Sequence, residues 1–116
     1  MTPSTYRPKV SIVMSFCNEP LQWIRFAVES VLEQTFRDYE LIIVCDNPAN
    51  NEGISYIDGI DDKRIRLIVN KGNIGPTRSF NSAIATSKGE YIARMDADDI
   101  CLSERLARQV EYLDRH

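Results

Sequence analysis

Four runs of apolar, often β-branched residues alternate with stretches in which apolar positions recur every three or four residues. The runs cover residues 9–16, 40–45, 64–69 and 90–95. The first is apolar almost throughout, which is typical of a strand buried on both faces of a sheet. Strands that alternate with helices predict an α/β fold, a Rossmann-like parallel sheet with right-handed crossovers.

The first two predicted helices differ in the strength of their patterns. The first is expected to begin near Pro20, with the Asn18 side chain as its cap, and to continue to about Thr35. The second follows residues 46–53, whose Asp, Asn, Pro and Gly content predicts a turn. Apolar residues recur only loosely between Ile54 and Ile60. The second helix is therefore expected to be short and poorly defined.

The third and fourth helices carry clearer end signals. Gly75-Pro76 is expected to open the third helix, and Gly89 to end it as a left-handed cap. Ser103 is the expected cap of the last helix. The residues predicted to face inward are Phe80, Ala83 and Ile84 in the third helix, and Leu106, Val110 and Leu113 in the last.

Composition limits the chain to one ordinary domain or part of one. Of 116 residues, 43% are hydrophobic and 27% are charged, as in ordinary globular domains. Residues 1–8 are predicted to be an irregular lead-in, and residues 9–116 the folded unit. The net charge of −3, with lysines and arginines scattered along the chain, argues against a nucleic-acid partner, because no basic stripe is formed.

Cysteine and histidine usage argues against a zinc site. Cys17, Cys45 and Cys101 form no CxxC pair, and the single histidine is His116. An odd number of cysteines suggests free thiols in a reducing compartment. No apolar run approaches the ~20 residues of a membrane helix, so a cytoplasmic location is expected. Membrane association of a longer protein is left open.

Carboxylates cluster after two of the predicted strands. Asp46 follows the second strand, and Asp96, Asp98 and Asp99 follow the fourth. The carboxyl ends of parallel strands form one edge of a sheet, where ligands bind. Carboxylates brought together there repel and raise one another's pKa, and Mg²⁺ or Mn²⁺ relieves that repulsion. The alternative is that they are helix caps and solubilising loop residues, a role that suits Asp99.

A glycine-bearing loop, residues 72–78, runs into the third helix. Backbone N–H groups at such a helix start favour anions, and Arg78 in the first turn could pair with phosphate or face a base. The alternative is a plain helix start with a solvated arginine. The loop lacks the lysine and hydroxyl residue of a phosphate-binding P-loop.

Several segments in order resemble the family 2 glycosyltransferases. They are VSIVMSFCNE, SVLEQTFRDYELIIV, NKGNIG, SKGEYIARMDADD and the following LxxxRL, spanning residues 9–113. The resemblance implies a GT-A fold. It also implies transfer of a sugar, with inversion, from a UDP- or dTDP-linked donor to a saccharide or lipid-linked acceptor in polysaccharide or glycoconjugate synthesis.

The resemblance also implies roles for individual residues. Asp46 would hydrogen-bond the base, and Arg78 would lie near the base or the diphosphate. Asp96 would reach the ribose, and Asp98, with Asp96, would hold Mn²⁺ or Mg²⁺ between the phosphates. The residues implied to line the nucleoside pocket are Ser15, Cys17 and Glu19.

The sequence departs from the family pattern in the nucleoside pocket. Cys17 replaces a common aromatic residue, and Cys45-Asp46 replaces paired aspartates. The resemblance further implies that the acidic general base and the acceptor site come after residue 116, so no catalytic residue is assigned. The chain alone is then expected to bind donor without turnover, to leave an uncovered sheet edge and to self-associate.

Two alternatives remain open from the sequence. A non-catalytic nucleotide-binding or interaction module would carry the same motifs. A haloacid-dehalogenase-like phosphatase also has an Asp-x-Asp sequence after a strand, but there it follows the first strand, whereas Asp96-Ala97-Asp98 follows the fourth.

Overall fold

A sheet of four parallel strands organises the computed structural model, which describes residues 7–97 and 104–116. Its strands are β1 (Val10–Phe16), β2 (Tyr39–Cys45), β3 (Ile65–Val69) and β4 (Tyr91–Asp96). Its helices are α1 (Leu21–Leu32), α2 (Asn51–Asp58), α3 (Pro76–Thr86) and α4 (Arg105–Arg115). The predicted α/β fold and all four predicted strands are confirmed, each strand within one residue at either end.

The two faces of the sheet pack against different helices. Alternate residues of β1 and β2 form a large core with α1 and α4, and the intervening residues form a smaller core with α3. Val13 and Ile42 are fully buried against Phe80 of α3, while Met14 and Ile43 are fully buried on the opposite face. Burial on both faces explains why these two strands are apolar almost throughout.

The strand order is β3-β2-β1-β4. The chain therefore moves outward from β1 to β3 and then returns to the other side of β1. Phe16 at the end of β1 pairs with Cys45, and Ser15 pairs with Asp96. In open parallel sheets this reversal leaves a crevice beyond the carboxyl ends of the strands, here between β1 and β4.

The start of α1 differs from the prediction. Asn18 is not the helix cap: Pro20 occupies the N-cap position and no side chain caps the helix. Asn18 Oδ1 instead accepts a hydrogen bond of 2.8 Å from Asn47 Nδ2, across the ends of two strands. The helix also ends at Leu32, before the predicted Thr35.

The prediction for Gly89 was wrong. Helix α3 ends at Thr86, and its C-cap Ser87 has an extended conformation. The absence of a side chain at Gly89 serves a close approach instead, because a Cβ there would collide with the backbone nitrogen and Oγ of Ser11. The Gly89 N–H donates to Ser11 Oγ at 2.7 Å and fixes the loop before β4.

The remaining helices partly match the prediction. Helix α2 begins at Asn51, inside the predicted turn, because Asn50 Oδ1 accepts from the Gly53 N–H at 3.1 Å and caps it. Ile84 and Leu113, predicted to face inward, are 40% and 45% exposed. The predicted cap Ser103 lies outside the described residues. No helix in the described ranges is long and apolar enough to cross a membrane.

Candidate functional site

A cleft of about 320 Å³ opens at the carboxyl ends of β1, β2 and β4. Five residues singled out from the sequence line it, namely Ser15, Cys17, Glu19, Asp46 and Asp96. Phe16, Pro76, Phe80 and Ala97 complete its walls. The fold therefore brings together residues that are as far as 81 positions apart in the sequence.

Asp46 is the most constrained polar residue of the cleft. Only 3% of it is exposed. Its Oδ1 accepts hydrogen bonds of 2.8 Å from both Asn70 Nδ2 and the Ile74 N–H, and its Oδ2 accepts one of 2.9 Å from the Gly75 N–H. The carboxylate thus holds the loop that enters α3, in which Gly75 has a φ of 91° that favours glycine.

The charge state of Asp46 differs from the prediction of mutually raised pKa values. Burial by itself raises the pKa of Asp46. The Ile74, Asn70, Gly75 and Ser79 donors outweigh burial and hold the pKa below its ordinary value of 3.8. Hydrogen bonds to an ionised carboxylate favour the charged form. These loop donors therefore stabilise the ionised form of Asp46.

Cys17 and Glu19 form the β1 side of the cleft. Glu19 Oε1 accepts a hydrogen bond of 2.8 Å from the Cys17 N–H, which fixes the turn after β1. Burial raises the pKa of the Cys17 thiol and, more deeply in the core, that of Cys45. Both thiols are free, as the cysteine count suggested, and raised pKa values make them poor nucleophiles. Cys101 lies outside the described residues.

Asp96 supplies the carboxylate on the β4 side. It is paired with Ser15 across the β1–β4 ladder, and 53% of its side chain is exposed. Arg94 Nη2 lies 3.5 Å from its Oδ1. Asp98 and Asp99 lie outside the described residues. Within residues 7–97 and 104–116, no three acidic, thiol or imidazole groups come together to hold a metal.

The structure does not place Arg78 among the residues that line the cleft. It is exposed in the first turn of α3. Pro76 at the start of that helix lines the cleft instead. The predicted helix start at Gly75-Pro76 is confirmed, whereas the role of Arg78 stays a prediction.

The sequence assigned no individual role to the asparagines that connect the loops. Asn70 Nδ2 bonds Asp46 and also lies 3.1 Å from Ser79 Oγ. Asn50 Nδ2 donates to the Cys17 carbonyl at 2.9 Å, and Asn73 Nδ2 lies 3.4 Å from Cys17 Sγ. An asparagine directly after a strand, as Asn70 follows β3, was the available signal.

A larger open groove, of about 510 Å³, lies along the outer edge of β4 and against α4. It contains none of the residues predicted to bind ligand, and it lies beside the strands rather than beyond their carboxyl ends. Ile92 on this edge is 47% exposed. By chemistry and position, the smaller cleft is the candidate site.

The sequence has clear relatives among known proteins. The sequence model of Glycosyl transferase family 2 matches residues 11–116. An uncharacterized glycosyltransferase of Methanocaldococcus jannaschii is 41% identical over 112 residues, which cover 95% of this chain and 39% of that protein. The chain thus spans about two-fifths of the length of that relative.

Solved glycosyltransferase structures share the fold. Residues 1–349 of S. aureus TarS, in complex with UDP-GlcNAc, superpose with a TM-score of 0.85 at 22% identity, over 93% of this chain and 32% of that one. The mannosyltransferase PcManGT of Pyrobaculum calidifontis, in complex with GDP-Man and Mn²⁺, gives 0.78 at 23% identity, over 94% and 33%. The predicted GT-A fold is thereby confirmed.

Proposed function

Because the chain belongs to glycosyl transferase family 2, we propose that its cleft binds the nucleotide part of a UDP- or dTDP-linked sugar donor. The whole protein then transfers that sugar, with inversion, to a saccharide or lipid-linked acceptor. Two proteins of the same fold are recorded with nucleotide sugars bound, one with UDP-GlcNAc and one with GDP-Man.

The convergence of Ser15, Asp46 and Asp96 at the reversal between β1 and β4 carries this proposal. The lining of the cleft combines polar side chains with the aromatic side chain of Phe80. A flat base needs apolar walls, and a ribose needs hydrogen-bonding groups. Both are present within one cleft.

The proposed roles follow the arrangement of the loops. Ser15, Cys17 and Glu19 line the nucleoside pocket. Asp46 hydrogen-bonds the base through carboxylate lone pairs that do not accept from its own loop. Asp96 reaches the ribose. Arg78 lies near the base or diphosphate only if the ligand extends over the start of α3.

A divalent cation fits the oxygen donors at the end of β4. Asp96 offers an exposed carboxylate, and such groups suit Mn²⁺ or Mg²⁺. Since no trio of ligands forms within the described ranges, the proposed metal site requires Asp98 as well. The cation would neutralise diphosphate charge, and PcManGT is recorded with Mn²⁺.

The general base is proposed to come from elsewhere in the full-length protein. Within the described cleft, Asp46 is occupied by loop donors, Glu19 holds the Cys17 N–H, and Asp96 is paired with Arg94. A base must reach the acceptor hydroxyl directly or through one water. The 116-residue chain is accordingly proposed to bind donor without turnover.

Titration calorimetry with UDP, dTDP and GDP tests the proposal. Binding of UDP or dTDP in the presence of Mn²⁺, and its loss in excess EDTA, is the expected result. Asp46→Ala should weaken binding even of the metal-free nucleoside. Absence of binding to all three nucleotides would refute the proposed function, whereas equal affinity in EDTA would refute only the metal site.

A further inference from the structure

Arg94 lies beside the cleft and has no part in the roles proposed above. It stands on β4 two residues before Asp96, so both side chains project from the same face of the sheet. Its guanidinium carbon is 4.0 Å from the centre of the Phe80 ring, and its Nη2 is 3.5 Å from Asp96 Oδ1. Phe80 and Asp96 both line the cleft. The guanidinium is thus held between two walls of the site.

The Arg94 side chain contacts protein groups on two sides and is exposed to solvent on the others. The aromatic face and the carboxylate restrict its rotamers, yet 62% of the side chain is exposed. A guanidinium has five N–H donors in a planar fork that matches phosphate oxygens, and stacking on a ring leaves the edge of that fork available. Because these contacts already restrict the side chain, binding of an anion costs it less conformational entropy.

The described lining of the cleft carries negative charge. Among residues 7–97 and 104–116, the ionisable side chains that line it are the carboxylates Glu19, Asp46 and Asp96 and the Cys17 thiol. A diphosphate that enters this cleft meets negative charge on several sides. Arg94, like Arg78, is exposed and is not itself a lining residue of the cleft; it lies on the groove beside β4. Its guanidinium nevertheless contacts two residues that do line the cleft, Phe80 and Asp96.

We propose that Arg94 binds the phosphate groups of the nucleotide donor at the edge of the cleft, in the role that the sequence suggested for Arg78. The proposal rests on the proposed nucleotide binding and names the group that recognises its anionic part. When the ligand enters, the guanidinium keeps its stack on Phe80 and shares its N–H donors between Asp96 and a phosphate oxygen.

A different role for Arg94 would be to orient Asp96 alone. Comparing the binding of UDP with that of uridine distinguishes the two roles. If Arg94 contacts phosphate, its loss weakens UDP binding and leaves uridine binding unchanged. If it only orients Asp96, its loss weakens uridine as well as UDP, because Asp96 is proposed to reach the ribose of both ligands.

The test is calorimetry of UDP and uridine, in Mn²⁺, with four forms of the chain. These are the wild type, Arg94→Gln, Arg94→Lys and the matched control Arg25→Gln. Arg25 is a suitable control because it is 56% exposed, lies 3.7 Å from Glu29 and stacks over Tyr56 at 5.7 Å, away from the cleft. Thermal melts of each form establish that it is folded.

We expect Arg94→Gln to weaken UDP binding about tenfold, the effect of one charge-assisted contact, with uridine affinity within twofold of the wild type. Arg94→Lys should recover part of the loss, and Arg25→Gln should match the wild type. Unchanged UDP affinity in Arg94→Gln, or equal losses for UDP and uridine, would overturn the proposal while leaving nucleotide binding intact. A wild type that binds neither ligand would overturn the proposed function and this proposal with it.

Discussion

Removal of the Asp46 carboxylate is expected to destabilise the fold itself, beyond any effect on a ligand. Asp46→Ala removes the acceptor of the Ile74 N–H. It also removes one of two acceptors from the Gly75 N–H, which keeps Asn73 Oδ1 at 3.2 Å, and from the Asn70 amide, which keeps Ser79 Oγ at 3.1 Å. A buried donor that loses its partner costs about 1–3 kcal/mol. The three bonds are only part-buried, and two of the donors keep a second acceptor, so we expect a loss of about 2 kcal/mol.

Urea denaturation of the 116-residue chain measures that loss directly. Asp46→Asn keeps the shape and one acceptor oxygen but places its amide N–H against another donor, so about 1 kcal/mol is expected. Asp61→Asn is the control, because Asp61 is exposed and surface changes stay within about 0.5 kcal/mol. Hydrogen exchange should show lost protection at the Ile74 and Gly75 amides. A loss below about 1 kcal/mol in Asp46→Ala would refute this account of the loop.

The pH dependence follows from the lowered pKa of Asp46. A folded-state pKa below the ordinary 3.8 contributes stability that is fully present above that value. It is lost as the pH falls through the folded-state pKa. The stability difference between the wild type and Asp46→Asn should therefore be constant at neutral pH and shrink below about pH 4. A difference that grows with acidification would mean that Asp46 is not ionised in the fold.

Three further predictions address other parts of the molecule. Gly89→Ala should cost about 2 kcal/mol in thermal denaturation, because its methyl group would overlap Ser11 and overpacking costs about 1–3 kcal/mol; Gly72→Ala, with open space around it, is the control. In calorimetry, Asp98→Asn should weaken Mn²⁺ binding most and Asp99→Asn least, and the reverse order would move the metal site by one residue. The 116-residue chain should transfer no sugar from labelled UDP-sugars to an acceptor panel, and light scattering should show self-association; robust transfer or a stable monomer would contradict these expectations.

The strands could be predicted because their burial is a property of local composition. Residues 10–16 and 39–45 are buried on both faces, so an apolar run identifies them without knowledge of their neighbours. The ends of the helices could not be predicted in this way, because contacts with residues distant in the sequence determine them. Asn18 has the right type for a cap, yet it bonds Asn47, 29 positions away. Glycine at position 89 is also suited to a left-handed turn, yet it is present because a Cβ there would collide with Ser11.

In the candidate site, too, positions could be predicted from the sequence but the effects of distant groups could not. The position of Asp46 after a strand was enough to place it in the cleft, since topology brings strand ends together. Its pKa was predicted in the wrong direction because the sequence shows nearby carboxylates but not the N–H groups that face them. Those donors lie 24 to 29 positions further along the chain. A charge pattern after the strands therefore predicts which groups come together in the fold more reliably than how those groups are ionised.

The N–H groups that bond Asp46 also determine which carboxylates of the cleft would repel an anionic ligand. They offset the charge of Asp46 locally, which leaves Asp96 and Glu19 as the carboxylates that a diphosphate meets at the rim. Two unit charges about 6 Å apart in water repel by roughly 0.7 kcal/mol, and by several times more where the surroundings are less polar. Under the proposed function, a cation at the β4 side of the cleft, next to Asp96, would relieve this repulsion. Since exposed charges are screened by salt, the affinity difference between UDP and uridine in EDTA should be largest at low ionic strength and should shrink as salt is added.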